Sequence, residues 1–337
     1  MLYIEPDGTD AAFHFSAEEF VMQNSFGENV LMIWQAANTA MLGVNQIAAA
    51  EINMPEATKE SVQIVRRASG GGTIYTDMGS LLYTFIRPFE DSVPPIDVMR
   101  KNAAEPIVAA LAQLGVCAEI SGRNDILVGG KKVSGLAQYV KNGRILTHGS
   151  LLYDTDLELL AKLITANPEK FRSKALQSVR SRVCNISEHI PSGKDGAKPT
   201  THKFWGLLKQ ALFQDKQVKE HTFDADEITA INAIRNEKFA NKDWTFGRSP
   251  KFTYTNSRRF EGGQLNVYFN VKNGIITDCT FCGDFLGVLP IREFEARLEN
   301  QDFTPRAVAG AIDDMPISAY LGGISQEEFM TLIFATR

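Results

Sequence analysis

Three consecutive glycines beside two arginines form the most chemically suggestive segment of the sequence, residues 66–75. Consecutive glycines cost backbone entropy, so they mark places where the chain turns tightly or approaches another group closely. A neighbouring arginine can bind phosphate or carboxylate, and the loop N–H groups can point at an anion. The alternative is a plain glycine turn with a surface arginine pair. Neither a Gly-Lys-Ser/Thr ending nor a Gly-x-Gly-x-x-Gly helix start is present, so the usual nucleotide-loop motifs do not apply.

A second segment, residues 124–135, combines a carboxylate, an ammonium and a hydroxyl in a hairpin pattern. If its two central glycines form a two-residue turn, Asp125 faces Ser134. Asp125, Lys132 and Ser134 then share one face, with Asp125 and Lys132 about 7–8 Å apart on the diagonal. Such a gap suits a phosphate with its Mg²⁺ between the two side chains. An exposed hairpin with a solvated charge pair is the alternative.

Two further features follow along the chain. His148 begins a His-Gly-Ser motif on the next strand, and ideal pairing about the Asn-Gly turn at 142–143 places it opposite the face of Lys132. Either a bulge intervenes or the two residues do not share one site. The basic segment 174–183 fits a solvated loop or a mobile flap that closes over an anion.

The elements that must position these residues can be read from hydrophobic periodicity and turn residues. A Ser-Ala-Glu-Glu capping box predicts that a helix begins at Ser16 and ends near Asn24. Gly115 is well placed to end the helix that precedes it. The remaining predictions are β-rich segments at 30–35, 40–44, 62–66, 80–86 and 264–285, helices near 95–115, 155–164, 200–213 and 225–239, and hairpins about 129–130, 142–143 and 273–274. Periodicity stops near 247, which predicts a domain at 1–246 and a small one at 247–337.

Composition and charge exclude several protein classes. The 337 residues are 44% hydrophobic and 22% charged, an ordinary globular composition that argues against disorder, collagen or coiled coil. The formal net charge of −5 argues against wholesale binding to nucleic acid or to an anionic membrane. Four scattered cysteines and an acidic N-terminus without an apolar core suit a reducing compartment. We therefore expect a soluble cytoplasmic protein.

Together and in this order, the motifs resemble the signature of the lipoate–protein ligases. The resemblance covers nearly the whole chain, including a small C-terminal domain such as the bacterial ligases carry. The stretches that carry it are 65–77 (VRRASGGGTIYTD), 122–127 (GRNDIL), 131–135 (KKVSG), 148–152 (HGSLL) and 178–185 (SVRSRVCN).

The resemblance implies a fold and a reaction. The fold is α/β (α+β): a mixed β-sheet catalytic domain of the biotin/lipoate ligase, class II synthetase-like type, with a small α+β C-terminal domain. The reaction joins lipoate to ATP, giving lipoyl-AMP and pyrophosphate. A lysine of an acceptor lipoyl domain, as in 2-oxoacid dehydrogenase complexes or the glycine-cleavage H protein, then displaces AMP. Octanoate is a possible second substrate, and a monomer is expected.

Roles carry over to the matching positions. Lys132 would be the catalytic residue, holding the acyl carbonyl oxygen and the α-phosphate, and Asp125 would help to position Mg²⁺. Arg67 would contact phosphate. The other residues that the resemblance places at ATP or lipoate are Gly70, Gly71, Gly72, Thr73, Ile74, Tyr75, Thr76, Asn124, Ser134, His148, Ser150, Arg180 and Arg182. The segment 174–185 resembles the loop that orders over the adenylate and keeps water out.

The sequence also departs from the family pattern in or beside the motifs. The departures are Val44 for a basic residue, Ile47 and Leu136 for Asn, Thr76 for His, Ser80 for Asn and Cys184 for Thr. They leave the adenylation residues in place but affect the acyl and acceptor preference, which favours a ligase with specialised selectivity.

Three competing functions remain open at this point. An acyl transferase working through a cysteine thioester would need Cys184, beside which no base is evident. A member that binds lipoate or nucleotide without catalysis is disfavoured because Arg67, Asp125 and Lys132 are all present. A biotin ligase is disfavoured because its glycine-rich motif differs and no N-terminal DNA-binding domain precedes the catalytic residues.

Overall fold

A computed structural model describes residues 1–24, 29–89, 95–164, 181–192, 196–214, 216–247, 254–272 and 274–334. Its strands are β1 (Leu2–Ile4), β2 (Val30–Trp34), β3 (Thr39–Leu42), β4 (Gln63–Arg66), β5 (Ile74–Thr76), β6 (Ser80–Pro88), β7 (Ala118–Ser121), β8 (Asp125–Val128), β9 (Lys131–Lys141), β10 (Arg144–Leu152), β11 (Lys219–His221), β12 (Tyr254–Phe260), β13 (Gly263–Lys272) and β14 (Ile275–Gly283).

The helices of the described chain are α1 (Ala11–Gln23), α2 (Ala48–Glu51), α3 (Met54–Lys59), α4 (Pro95–Met99), α5 (Glu105–Gln113), α6 (Leu157–Leu163), α7 (Thr201–Phe213), α8 (Ala225–Ile234), α9 (Lys242–Phe246), α10 (Ile291–Leu298), α11 (Pro305–Ile312), α12 (Ile317–Tyr320) and α13 (Gln326–Phe334). Short π-helical turns follow α4 and α8, and a 3₁₀ turn covers Ile186–Glu188. None of the described helices is long and apolar enough to cross a membrane.

An eight-stranded mixed sheet organises the larger part of the chain, in the order β11-β1-β2-β6-β10-β9-β8-β7. The strands β11, β1 and β2 run parallel, and each later pair is antiparallel. A second, three-stranded sheet has the order β4-β3-β5. The Gly-rich loop, defined here as residues 67–73, joins β4 to β5 of this small sheet. The mixed α/β architecture expected from the resemblance is therefore confirmed.

The predicted hairpins form because glycine and asparagine supply positive φ angles. Gly129 and Gly130 have φ of 56° and 75°, and Asn142 and Gly143 have φ of 53° and 67°. Two successive positive φ angles define the type I′ turn whose twist matches antiparallel strands. The hairpins about 129–130 and 142–143 are confirmed, and together they bring β8, β9 and β10 side by side at the site. For the third predicted hairpin, β13 and β14 pair antiparallel, and residue 273 of its turn lies outside the described residues. Gly115, with φ of 79°, follows α5 as predicted.

The first helix begins earlier than the capping box predicted. Asp10 caps it by accepting a hydrogen bond from the Ala12 N–H, so Ala11 is its first residue. Ser16 lies inside the helix and donates its hydroxyl hydrogen to the Ala12 carbonyl instead. Because the helix starts a full turn sooner, Glu18 and Glu19 lie near its middle and are both buried. The predicted start at Ser16 was wrong because a stronger Asx cap lies upstream.

Alternating side chains of the large sheet build two apolar layers. On β2, for example, Leu31 and Ile33 face one buried cluster, whereas Met32 and Trp34 face the other. The cluster of the second layer packs the sheet against α1 and α8. Residues beyond 254 build a separate cluster around the antiparallel sheet β12-β13-β14 and the helices that follow it.

The C-terminal unit, residues 254–334, touches the rest of the chain through backbone hydrogen bonds. Gly71 N–H donates to the Phe285 carbonyl at 3.2 Å, and Gly283 N–H donates to the Asn45 carbonyl at 3.0 Å. A third bond joins Val140 N–H to the Val288 carbonyl at 3.0 Å. The loop after β14 therefore packs directly against the Gly-rich loop and the strand β9.

Candidate active site

A cavity opens between the large sheet and the Gly-rich loop. Its buried end is apolar and includes Phe15, Trp34, Met41 and Leu82, each no more than 4% exposed. Its other end carries Lys132, whose side chain is 37% exposed, together with Asn124 and the exposed Gly72. The cavity therefore suits a molecule with an apolar body and a polar head at the mouth.

Lys132 and Asp125 form an ion pair, with 2.7 Å between Nζ and Oδ1. The predicted pairing was wrong at Asp125, because a bulge places this residue opposite Gly135 instead of Ser134, whereas Leu127 pairs with Lys132 as predicted. The predicted 7–8 Å spacing refers to the diagonal between the two residues, and their charged side-chain ends meet, so no open gap lies between them. The lysine side chain then folds over Gly135, where a Cβ atom would lie only 2.8 Å from Nζ. A phosphate and Mg²⁺ would therefore have to separate this pair rather than enter a preformed gap.

The bulge also places Lys132 on the same face of the sheet as His148. Ideal pairing predicts His148 and Lys132 on opposite faces, and only a bulge between them would let both residues line one site. In the structure both residues line the same cavity, together with Gly149 and Ser150. Asn124 stabilises this local geometry in two ways. Its side-chain N–H donates to the Leu136 carbonyl at 2.9 Å, and its backbone carbonyl accepts from the Leu136 N–H.

Arg67 braces the Gly-rich loop from inside. Its guanidinium donates to the carbonyls of Met41, Gly70 and Gly72, and its Nε–H donates to Ser69 Oγ. Burial, with a smaller contribution from the neighbouring Arg66, lowers the pKa of Arg67 to about 10. The side chain also lines the cavity. Its direct role in the structure is to hold the loop, and phosphate contact remains a prediction.

A chain of hydrogen bonds behind the cavity was missed by the sequence reasoning. His148 Nε2 lies 2.6 Å from Ser69 Oγ, and its Nδ1 lies 3.1 Å from a carboxylate oxygen of Glu18. All three side chains are buried. Glu18 and His148 are 130 positions apart, and a glutamate on a helix gives no local signal of such a contact.

The remaining predicted residues lie in several different places. Gly71, Gly72, Thr73, Ile74 and Ser150 line the cavity. Ser134 pairs with Ile126 rather than with Asp125, and its Oγ bonds Tyr83 in the other apolar layer, so the prediction that it shares a face with Asp125 and Lys132 was wrong. Tyr75 and Thr76 are buried elsewhere, with the Tyr75 hydroxyl donating to Asn38, and Gly70 packs under the Phe285 carbonyl. Arg182 accepts a backbone hydrogen bond from Lys132 at 2.7 Å. Arg180 and most of the segment 174–185 lie outside the described residues.

Cys184 does not have the surroundings of a nucleophile. Its thiol is buried and points to the Val128 carbonyl at 3.8 Å. Burial, assisted by the negative charge of Glu188, raises the thiol pKa above its ordinary value. A reactive cysteine needs the opposite, a stabilised thiolate. This geometry disfavours the thioester transferase.

The departures from the family pattern occupy different surroundings. Leu136 borders the cavity, but its side chain packs with Tyr83 and Val133 in the apolar layer on the other face of the sheet from Trp34 and Leu82. Ser80 bonds Thr155 side chain to side chain at 2.8 Å, and Val44 accepts from Arg66 through its carbonyl. Thr76 is buried, and its Oγ1 has no hydrogen-bond partner among the described residues.

Two family models match the sequence. The lipoyl protein ligase A/B catalytic domain matches residues 10–213, and the bacterial lipoate protein ligase C-terminus matches residues 249–333. The chain belongs to the lipoate–protein ligase family. It is 34% identical to lipoate-protein ligase LplJ of Bacillus subtilis over 99% of this chain and 100% of that protein. It is 32% identical to the lipoate–protein ligase of Streptococcus pyogenes over 97% of this chain and 96% of that one.

Solved structures share the fold. P. falciparum LipL1 in complex with lipoate superimposes with a TM-score of 0.75 at 21% identity, covering 94% of each chain. Lipoate-protein ligase A bound with ATP superimposes with a TM-score of 0.61 at 21% identity, covering 73% of this chain and 99% of that one. The family resemblance drawn from the motifs is confirmed, and the chain is an enzyme of the ligase class.

Proposed function

We propose that this chain is an ATP-dependent lipoate–protein ligase that activates lipoate as lipoyl-AMP and transfers the lipoyl group to a lysine of an acceptor protein. Family membership supports the reaction class. The observation that carries the site assignment is the position of Lys132, where the polar mouth of the cavity meets its apolar interior. An ammonium at this boundary suits the junction between an apolar acid and a nucleotide.

The first half-reaction forms a mixed anhydride. A carboxylate oxygen of lipoate attacks the α-phosphorus of ATP, the bond to the β-phosphate oxygen breaks, and pyrophosphate leaves. Negative charge gathers on the α-phosphoryl oxygens, and Lys132 stabilises it at the mouth of the cavity. The Gly-rich loop, braced by Arg67, forms the opposite wall and fixes the acid against the nucleotide.

The second half-reaction makes an amide. The neutral ε-amine of the acceptor lysine attacks the acyl carbonyl, the carbon–oxygen bond to AMP breaks, and the amine releases a proton. Lys132 serves again because the carbonyl oxygen becomes negative in the tetrahedral intermediate. The acceptor class is a lipoyl domain, because a bi-partite lipoate protein ligase from Thermoplasma acidophilum was studied with its E2 lipoyl domain.

Asp125 is the carboxylate that we assign to Mg²⁺. Magnesium typically binds one or two protein carboxylates together with substrate phosphates, so a single acid at the mouth fits this mode of binding. Among the described residues no group of three or more His, Cys, Asp or Glu could hold a metal by itself. Bound metal would supply positive charge to the phosphates, and Asp125 would then exchange Lys132 for the ion.

We further assign the catalytic domain to residues 1–246 and the accessory domain to 247–337, and we expect a cytoplasmic monomer. The separate apolar cluster of the residues beyond 254 supports this division. The catalytic residues lie in the first domain, with the loop after β14 packed beside them.

The decisive experiment is lipoate-dependent ATP–pyrophosphate exchange in the presence of Mg²⁺, with Lys132→Ala and Cys184→Ala measured in parallel. We expect Lys132→Ala to lower exchange at least about 100-fold, because the preorganised charge is lost. We expect Cys184→Ala to retain exchange. If wild-type exchange is absent and Cys184-dependent acyl transfer between lipoyl domains is present, the chain is a transferase and the ligase proposal is wrong.

A further inference from the structure

The side-chain amide of Gln46 holds the Gly-rich loop at its last residue, Thr73. The Gln46 Oε1 atom accepts hydrogen bonds from the Gly43 N–H at 2.8 Å and from the Thr73 hydroxyl at 2.9 Å. Because an N–H group can only donate, the bond to Gly43 fixes which end of the amide carries the oxygen. Gln46 is 1% exposed and Thr73 is 9% exposed, so water competes little for either bond.

The turn between β3 and α2 that carries Gln46 is itself held from two sides. The buried guanidinium of Arg66 donates to the carbonyls of Gly43 and Gln46 at 2.8 and 2.6 Å. On the other side the Asn45 carbonyl accepts from the Gly283 N–H at 3.0 Å. A shift of this turn would break buried hydrogen bonds at a cost in stability, so Gln46 Oε1 is a fixed point for the loop.

The same turn packs backbone against backbone on the Gly-rich loop. The Val44 N–H donates to the Ser69 carbonyl at 2.8 Å. A Cβ atom at Gly43 would overlap the Gly71 carbonyl oxygen, so the two segments leave no free space between them at this point. The turn therefore supports the loop, and Gln46 supplies the side-chain bond of that support.

Two side chains thus hold the Gly-rich loop at successive points. Arg67 holds it at the carbonyls of Gly70 and Gly72. Gln46 holds it at the Thr73 hydroxyl. Glycine backbone has wide conformational freedom, so the position of this segment depends on such bonds. Because Gly72 and Thr73 both line the cavity, the bond from Gln46 determines where this wall of the cavity lies.

We propose that Gln46 is a positioning residue for the first half-reaction, which fixes through Thr73 the wall opposite Lys132 and so aligns the acid with the α-phosphorus of ATP. The inference rests on the proposed function, because it requires the acid and ATP to meet at the mouth of the cavity. Gln46 itself does not line the cavity. It acts through Thr73 and takes no part in bond making.

The test is ATP–pyrophosphate exchange with lipoate and Mg²⁺, measured as kcat and KM per folded protein. Gln46→Leu should lower kcat about tenfold and change the KM values for lipoate and ATP by less than about threefold, because alignment is lost while the binding groups remain. Gln35→Leu is the matched control. The Gln35 amide is also buried but donates to the carbonyls of Met78 and Ser80, outside the loop, so kcat should stay at the wild-type value.

A double-variant cycle separates positioning from general support of the fold. Thr73→Val keeps the shape of the side chain but removes the hydroxyl, so it should lower kcat by a similar factor. Thr73→Ser keeps the hydroxyl and should lose less. Because Gln46 and Thr73 act through one bond, combining Gln46→Leu with Thr73→Val should cost little more than Gln46→Leu alone.

Losses that multiply in the double variant overturn the inference. An unchanged kcat in folded Gln46→Leu, or in Thr73→Val if Gln46→Leu does not fold, also overturns it. The same holds for an equal loss in Gln35→Leu, or for a loss carried by KM alone. Absence of exchange in the wild-type protein would instead overturn the proposed function.

Discussion

Gly135 lies under the side chain of Lys132, and this contact predicts a variant that separates catalysis from folding. An alanine Cβ at position 135 would lie 2.8 Å from Lys132 Nζ and 2.9 Å from its Cε. Ordinary van der Waals contact needs about 3.4 Å or more, so the ammonium must move by roughly 0.6 Å or further. The clash is with the end of a flexible, part-exposed side chain, so the fold can absorb it.

We therefore expect Gly135→Ala to reduce kcat/KM for ATP–pyrophosphate exchange about 30- to 100-fold, since displacements near 1 Å in a catalytic site cost about 10²-fold. Its free energy of unfolding should change by less than about 1 kcal/mol. Gly149→Ala is the contrasting variant, because its Cβ would overlap the hydroxyl oxygen of the fully buried Tyr83. Overpacking of this kind should destabilise the fold by about 1–3 kcal/mol.

The assay is exchange kinetics combined with urea unfolding of the same preparations. Gly206→Ala is the control, because a Cβ there meets nothing within 4 Å inside α7 and should stabilise the helix slightly. Full exchange activity in Gly135→Ala would refute the assigned role of the Lys132 position. An unfolding loss as large as that of Gly149→Ala would show that the clash is not confined to one side chain.

Two further predictions concern stability. Burial lowers the pKa of His14 to about 4, and its Nδ1 has no partner among the described residues, so the unfolded chain binds one more proton between pH 6.5 and 4. The free energy of unfolding should therefore fall as pH falls through this window, and urea titrations of His14→Gln should show a shallower fall, whereas an equal slope would contradict the assignment. Arg66→Lys should cost about 2–4 kcal/mol in urea unfolding, because a single ammonium cannot replace a fully buried guanidinium that donates to Gly43, Gln46 and Thr245 carbonyls, and a loss below about 1 kcal/mol would contradict this.

Local sequence signals predicted the local structure well. The Gly-Gly and Asn-Gly pairs fix their hairpins because the required φ angles depend on the turn residues alone. The same argument failed one step away, where the extra residue of the β8–β9 bulge pairs Asp125 with Gly135 and leaves Ser134 opposite Ile126, on the other face of the sheet. A bulge depends on both strands and on the groups around them, so a single strand's sequence does not reveal it.

The site was predicted where residues lie within one motif and missed where the fold joins distant segments. Lys132 and His148 were found because their motifs are specific. Glu18 and Ser69 were missed because their function depends on contacts with His148, which belongs to another part of the chain. The roles of Arg66 and Arg67 likewise separate only in three dimensions, where each binds its own set of carbonyls.

The backbone hydrogen bonds between the Gly-rich loop and the C-terminal unit have a consequence for how such proteins diverge. Bonds between main-chain atoms do not depend on side-chain identity, so most substitutions on either side leave the joint intact. Selection can act on it mainly through glycines whose added Cβ would strike the opposing backbone. Gly70, where a Cβ would lie 2.6 Å from the Phe285 carbonyl oxygen, is such a position. These backbone hydrogen bonds can therefore persist while many side chains on both sides of the contact are substituted.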